Sequence, residues 1–375
     1  MEPVIQLLSE LIAIPSVNPM GRNVSGSRYE EKEIAEFIAG VLRKNKIDVQ
    51  IQEVGQNRPN VIGYVDKKKR QTLLLEAHMD TVDGEEKDFQ PVVRDGNVYG
   101  RGACDTKASI AAFLQSVIDV IHSADNLQYN ILLLFSMDEE YTFSGANFAA
   151  TAGLKADFGI AGEPTSLKII HTHKGVTRFK INARGNAAHS AYPREGVNAI
   201  YAMWPVLQRL EEFNQKLEER ARHPLLGTAS LSVGRITGGV AVNVVPHLCQ
   251  IEIDRRSLPH ESREEIISEI QNLIGDLPAV KLEEPYLSVD GMDVPEESLI
   301  IRFLRGSIER YKGSAEVDGA SYATNAGVYN RFKIPTVVFG PGDIAQAHTA
   351  SEYISVNQVH GAISILTDFL TRDSS

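Results

Sequence analysis

Apolar residues in the first quarter of the chain repeat with a helical period. Val4, Leu7, Leu8, Leu11 and Ile12 share one face, and Ile34, Phe37, Ile38, Val41 and Leu42 share another. Val49 and Ile51 then alternate as on a strand, and 60–65 and 72–76 read as buried strands. The pattern predicts a helix over 106–122 and further apolar strands over 129–137 and 158–161. Strands alternating with helices, several without polar alternation, predict an α/β domain with a mixed, largely parallel sheet and helices on both faces.

After His173-Lys174-Gly175 the texture changes. Residues 176–183 alternate as a sheet with one wet face would. A helix over 198–219 follows, then strands over 229–233 and 248–254, a helix from about Glu261 and a last strand over 280–282. That strand–helix–strand–strand–helix–strand order predicts an inserted α+β, ferredoxin-like domain. Turn formers over 285–295 lead back to a helix over 298–311, a strand over 336–339 and an amphipathic helix over 355–370, with Ser355 as its N-cap. His348 groups with ligand candidates from the early part of the chain. Residues 1–175 and 289–375 are therefore expected to form one catalytic domain, with 176–288 inserted.

Composition narrows the classes. A chain of 375 residues with 43% hydrophobic content can bury two cores. No apolar stretch approaches the ~18–20 residues that span a bilayer. The start, Met1-Glu2-Pro3-Val4, shows no basic leader, so no membrane partner and a cytoplasmic setting are expected. Cys104 and Cys249 lie far apart, which fits a reducing compartment and no disulfide framework. A net charge of -11 argues against nucleic acid as a partner. The run Lys67-Lys68-Lys69-Arg70 is expected to be a solvated hairpin tip.

Against that background five residues stand out: His78, Asp105, Glu140, Glu163 and His348. Each sits at or just beyond the end of a short apolar run, where side chains project from a sheet edge. Two imidazoles and three carboxylates can hold two divalent ions if one carboxylate bridges, leaving each ion room for a water. That pattern points to hydrolysis. Asp80, two residues after His78, can accept the second imidazole N–H and fix its tautomer; a surface His–Asp pair is the alternative. Asp105 follows Gly100-Arg101-Gly102 and, taken alone, reads first as a plain helix cap, with a metal-bridging carboxylate as the competing reading. Asp138-Glu139-Glu140 places three acids after the most apolar strand, which repel one another unless a cation lies nearby. Adjacent side chains diverge, so Glu140 is assigned as a ligand and Glu139 as the general base. A solvated acidic loop is the alternative there.

Together these segments, with Gly162-Glu163-Pro164-Thr165-Ser166 and Gln346-Ala347-His348, resemble the co-catalytic two-zinc metallopeptidase and deacylase family. Its members include acetylornithine deacetylase, succinyl-diaminopimelate desuccinylase, aminoacylase and glutamate carboxypeptidase. The resemblance covers nearly the whole chain and looks nearest to the acetylornithine deacetylase branch. It implies a zinc-exopeptidase-like fold, two Zn²⁺ (with Co²⁺ or Mn²⁺ as substitutes) and a small N-acyl amino acid as substrate. Asp105 would bridge, with His78 and Glu163 on one metal and Glu140 and His348 on the other. A cis peptide would follow Asp105. The insert would serve as lid and homodimerisation domain. His189 would stabilise the oxyanion, and Asn243 and Arg255 would contact substrate; an exposed loop histidine and a surface ion pair are the bland readings of His189 and Arg255. A desuccinylase, a small-peptide carboxypeptidase or dipeptidase, a phosphoesterase and a non-catalytic binding homologue are the rivals. Departures from the resemblance, such as Thr142 after the acids, Asn325 and Ala108, leave the ligands in place.

Overall fold

The computed structural model describes residues 2–123 and 127–372. They form two compact units: one up to His171, with Val294–Gly319 and the chain from Thr324, and one of Thr172–Asp293 with Ala320–Ala323.

The larger unit is built on a mixed sheet. Across it lie Asp48–Gly55, Arg58–Val65, Asn130–Ser136, Thr72–His78, Phe158–Ala161, Thr336–Val338 and Ile169–His173. The neighbours from Asn130–Ser136 to Thr336–Val338 run parallel. Every residue of Asn130–Ser136 is buried, as a strand covered on both sides requires. Gly63 opens toward Leu42 of the helix Lys32–Lys44, whereas Asn60, of opposite parity, donates to the Gly145 carbonyl of the helix Ser144–Thr151. Helices therefore cover both faces. Lys107–Ser123 and Val356–Thr371 pack on each other, and a small antiparallel sheet joins Tyr353–Ser355, Asn97–Tyr99 and Val92–Arg94.

Two expectations need correction. The basic run 67–70 is not a hairpin tip, because Asn130–Ser136 lies between the strands it connects. Its backbone is instead gathered by Asn130, whose Oδ1 accepts from the N–H groups of Lys67 and Lys69 at 3.0 Å. Ser355 occupies the N-cap position of the last helix, but its hydroxyl makes no capping bond.

The smaller unit has the order Ser230–Gly238, Leu248–Ser257, Gly175–Arg184, Val280–Leu282, all antiparallel, with Leu287–Val289 also on Gly175–Arg184. This is the ferredoxin-like arrangement. Asn198 caps Ala199–Glu218 by accepting from the Ile200 N–H at 2.9 Å, and Ser262 with Glu265 forms a capping box on Arg263–Ile274. Phe179, Met203, Leu210, Ile251 and Ile270 fill the space between the helices and the sheet. Among the described residues no helix is long and apolar enough to cross a membrane.

Candidate metal centre and active site

The carboxyl ends of the parallel strands converge on one place. His78 is the last residue of Thr72–His78, Glu140 follows Asn130–Ser136, Glu163 follows Phe158–Ala161, and the segment after Thr336–Val338 carries His348. Asp105 arrives from a turn ahead of Lys107–Ser123. In that turn Gly102 has φ +78°, and a Cβ there would come within 2.8 Å of Thr81. The Asp105–Thr106 peptide is cis.

The structure brings all five ligand candidates together in two sets that share Asp105. His78, Asp105 and Glu163 form one, and Asp105, Glu140 and His348 the other, each with donor atoms within 4.8 Å of one another. Asp105 turns one oxygen to each imidazole: Oδ1 lies 2.9 Å from His78 Nε2 and Oδ2 lies 3.4 Å from His348 Nε2. Glu163 Oε1 is 3.8 Å from His78 Nε2, and Glu140 Oε2 is 3.0 Å from His348 Nε2.

Electrostatics show how short of positive charge this cluster is. Burial, reinforced by Glu140 and Asp105, pushes the Glu139 carboxyl well up, and burial does the same to Glu163. Glu140 rises to about 7, through burial and the charge of Asp105. Burial alone would raise Asp105, yet hydrogen bonds from His348 and His78 hold it below the carboxylate range. Those contacts with Asp105 and Glu140 lift His348 to about 10. The imidazoles of His78 and His348 thus supply the positive charge that faces Asp105, Glu139, Glu140 and Glu163. A mixed nitrogen and oxygen donor set in that condition fits divalent cations.

Asp80 is placed differently from expectation. The nearest partner of His78 Nδ1 is the Asp80 carbonyl at 2.9 Å, with the carboxylate at 3.5 Å. The carboxylate instead accepts from the backbone N–H groups of Glu139 and Glu140, both at 3.1 Å, and from Asn18 at 2.7 Å. Asn18 also donates to Asp138, which Arg58 reaches at 3.1 Å while pairing with Glu31. These anchors orient the acidic triplet, and Asn18, Arg58 and Glu31 were invisible as such in the sequence. Cys104 is fully buried, and burial pushes its thiol far up, so it acts as a small hydrophobe.

In the smaller unit, His189 and Asn243 lie on adjoining loops: the Ser190 N–H donates to the Asn243 carbonyl at 3.0 Å. His189 Nδ1 accepts from the Ala191 N–H at 3.1 Å, which leaves the neutral ring's proton on Nε2 as an outward donor. Arg255 is fully buried, and its guanidinium is taken by Glu261 and the Arg256 carbonyl. Its neighbour Arg256 lies on the opposite, half-open face of the strand beside Asp254. Parity was the missed signal, since Cys249, Ile251 and Ile253 mark the face that Arg255 shares.

Paired donor sets at the carboxyl edge of a mixed sheet, with an acid alongside, define a metal-dependent amidohydrolase. The chain belongs to Peptidase family M20/M25/M40, whose model matches residues 74–372. Among curated proteins it is 33% identical over 277 residues to an acetylornithine deacetylase of Myxococcus xanthus, covering 71% of this chain and 70% of that protein. It is 30% identical to an acetylornithine deacetylase of Klebsiella pneumoniae, covering 94% and 93%. Among solved structures, an M20 family metallo-carboxypeptidase of Sulfolobus solfataricus superposes with TM-score 0.80 at 16% identity over 99% of both chains. A dinuclear metal binding peptidase of Bacillus subtilis does so with TM-score 0.68 at 17% identity, covering 98% and 96%. These last two likenesses concern the fold.

Proposed function

We propose that the chain is a two-zinc deacylase that cleaves the amide bond of N-acyl amino acids, with N²-acetylornithine as favoured substrate. The observation that carries this reading is Asp105, which offers one oxygen to each of two donor sets. His78 and Glu163 would hold one ion and Glu140 and His348 the other, with Asp105 shared. Bound there, the ions would polarise the acyl carbonyl and acidify the attacking water. Glu139, held by its backbone to Asp80, takes the proton from that water. Once protonated, Glu139 passes the proton on to the departing amine. His189, through Nε2–H, donates to the oxyanion, a role typically worth about 3 kcal/mol. Asn243 lies on the loop beside it. Arg256, on the half-open face and paired there with the part-exposed Asp254, rather than the fully buried Arg255, would bind the substrate carboxylate.

The identities of the curated relatives favour acetyl-ornithine over the succinylated or peptide alternatives. A homodimer through the smaller unit is part of the reading. Tyr201 and Trp204 on one helix, with Val240 and Val242 on a nearby loop, are 62–101% exposed, more apolar surface than scattered singles give. Two buried free cysteines fit the cytoplasm.

The test is a panel of acetylated, succinylated and dipeptide substrates assayed with Zn²⁺ and Co²⁺, with Glu139→Ala as control. Release of ornithine from acetylornithine, lost in Glu139→Ala while about two metals per chain remain, is the expected result. Diamine release from the succinylated analogue alone would move the assignment to the desuccinylases. Full activity after chelation would end the metal reading altogether.

A further inference from the structure

One buried carboxylate, shortly after His348 in sequence, supports both loops on which the donor sets depend. Glu352 is 4% exposed. Its Oε1 accepts from the Cys104 N–H at 2.8 Å and the Asp105 N–H at 3.0 Å. Its Oε2 accepts from the Gly102 N–H at 3.0 Å and from Arg101 Nη1 at 2.8 Å. The Glu352 carbonyl also accepts from the Gly100 N–H at 3.1 Å. Gly100, Arg101, Gly102, Cys104 and Asp105 are therefore all tied to one residue. Arg101, itself buried, then reaches across with Nη2 to the carbonyl of Thr349, at 3.1 Å. Thr349 is the residue after His348.

Neither Arg101 nor Glu352 belongs to a donor set. Their ion pair is also neutral as a unit, so the support adds no net charge beside an already acid-rich cluster. A lone glutamate here would raise that burden, and a lone arginine would compete with the cations. We infer that Arg101 and Glu352 form a clamp that positions the shared ligand Asp105 and the ligand His348 together, so that metal affinity depends on residues that touch no metal. The inference rests on the two-metal reading above.

The two variants should differ in a way a merely structural pair would not. Asp105 serves both donor sets, so Glu352→Gln should weaken both metals, by roughly 10- to 100-fold in affinity, as for other residues that orient ligands. Arg101→Met frees the Thr349 carbonyl but leaves the backbone bonds to Glu352, so it should weaken chiefly the metal held with His348. Zinc affinity is read by chelator competition, alongside metal per chain, melting of the metal-free chains, and kcat and KM against added Zn²⁺. Excess Zn²⁺ should restore kcat at unchanged KM. Folded variants that keep wild-type affinity for both metals would overturn the clamp. If Glu352→Gln does not fold, unchanged affinity in Arg101→Met overturns it alone. Failure of both to fold even with excess Zn²⁺ also overturns it, since a clamp on ligands leaves the core intact. A wild-type chain that takes up fewer than two metals would sink the two-metal reading instead.

Discussion

Adjacent arginines on the strand Leu248–Ser257 show how one residue step separates stability from recognition. Arg255 is fully buried, and its acidic partner Glu261 is part-buried and also accepts from the Leu258 N–H, so Arg255→Ala removes the pair's cation and empties its place in the interior. The cost should approach but not exceed the ~3–5 kcal/mol of breaking a fully buried pair, because Glu261 keeps the Leu258 N–H. Arg256 is partly open and shares Asp254 with Arg178, so Arg256→Ala should cost little stability and raise KM for substrates that carry a free carboxylate. Chemical denaturation and steady-state kinetics on the two variants separate the roles. If Arg255→Ala raises KM while melting as wild type does, the assignment reverses. The resemblance alone pointed to Arg255, although the alternation of Cys249, Ile251 and Ile253 already placed it on the apolar face. The ligands themselves were easier to read, because each follows an apolar run. The Arg101–Glu352 bond was not, since its partners are 251 positions apart and neither carries a motif of its own.

At the level of elements, the apolar pattern conveys where a strand lies better than where it ends, since the strands expected over 229–233 and 248–254 run on to Gly238 and Ser257. Phe158–Ala161 and Val280–Leu282 fall where the pattern puts them, and Ala199–Glu218 and Leu299–Lys312 differ from it by a residue or so at each end. Neighbour order is less legible: placing Asn130–Ser136 between Arg58–Val65 and Thr72–His78 turned an expected hairpin into a crossing. Short strands such as Val92–Arg94 and Asn97–Tyr99 carry too few residues to show a period. The strand Ile169–His173 carries a further consequence at its last residue. Burial pushes His173 down to about 4 from the ordinary 6.5. Between those values the unfolded chain takes up a proton that the fold refuses. Stability is therefore full above pH ~6.5 and falls as pH drops toward ~4, by up to about 3 kcal/mol. His173→Gln should remove that slope. The measurement is the difference in unfolding free energy between the two chains at several pH values, in which titration of the metal ligands cancels. A difference that stays constant from pH 7 to pH 4 would show that His173 contributes nothing to it.

For the whole molecule, the open matter is whether one chain makes a complete site. The ligands and Glu139 all belong to the larger unit, while His189 lies on an exposed loop of the smaller one. The smaller unit also bears Tyr201, Trp204, Val240 and Val242 in the open, a surface suited to a second copy with two-fold symmetry. If His189 completes the site of its partner, two inactive variants should complement each other. In a mixed dimer, the His189→Ala chain keeps its own Glu139 and receives His189 from the Glu139→Ala chain, so one of the two sites is whole. Random pairing of equal amounts makes half the dimers mixed, so activity should recover to about a quarter of wild type. Mixing must include a step that lets subunits exchange, and light scattering must show a dimer. A dimer that exchanges subunits yet recovers no activity would place His189 in the site of its own chain or outside the reaction, because each site would then lack either His189 or Glu139 whatever its partner.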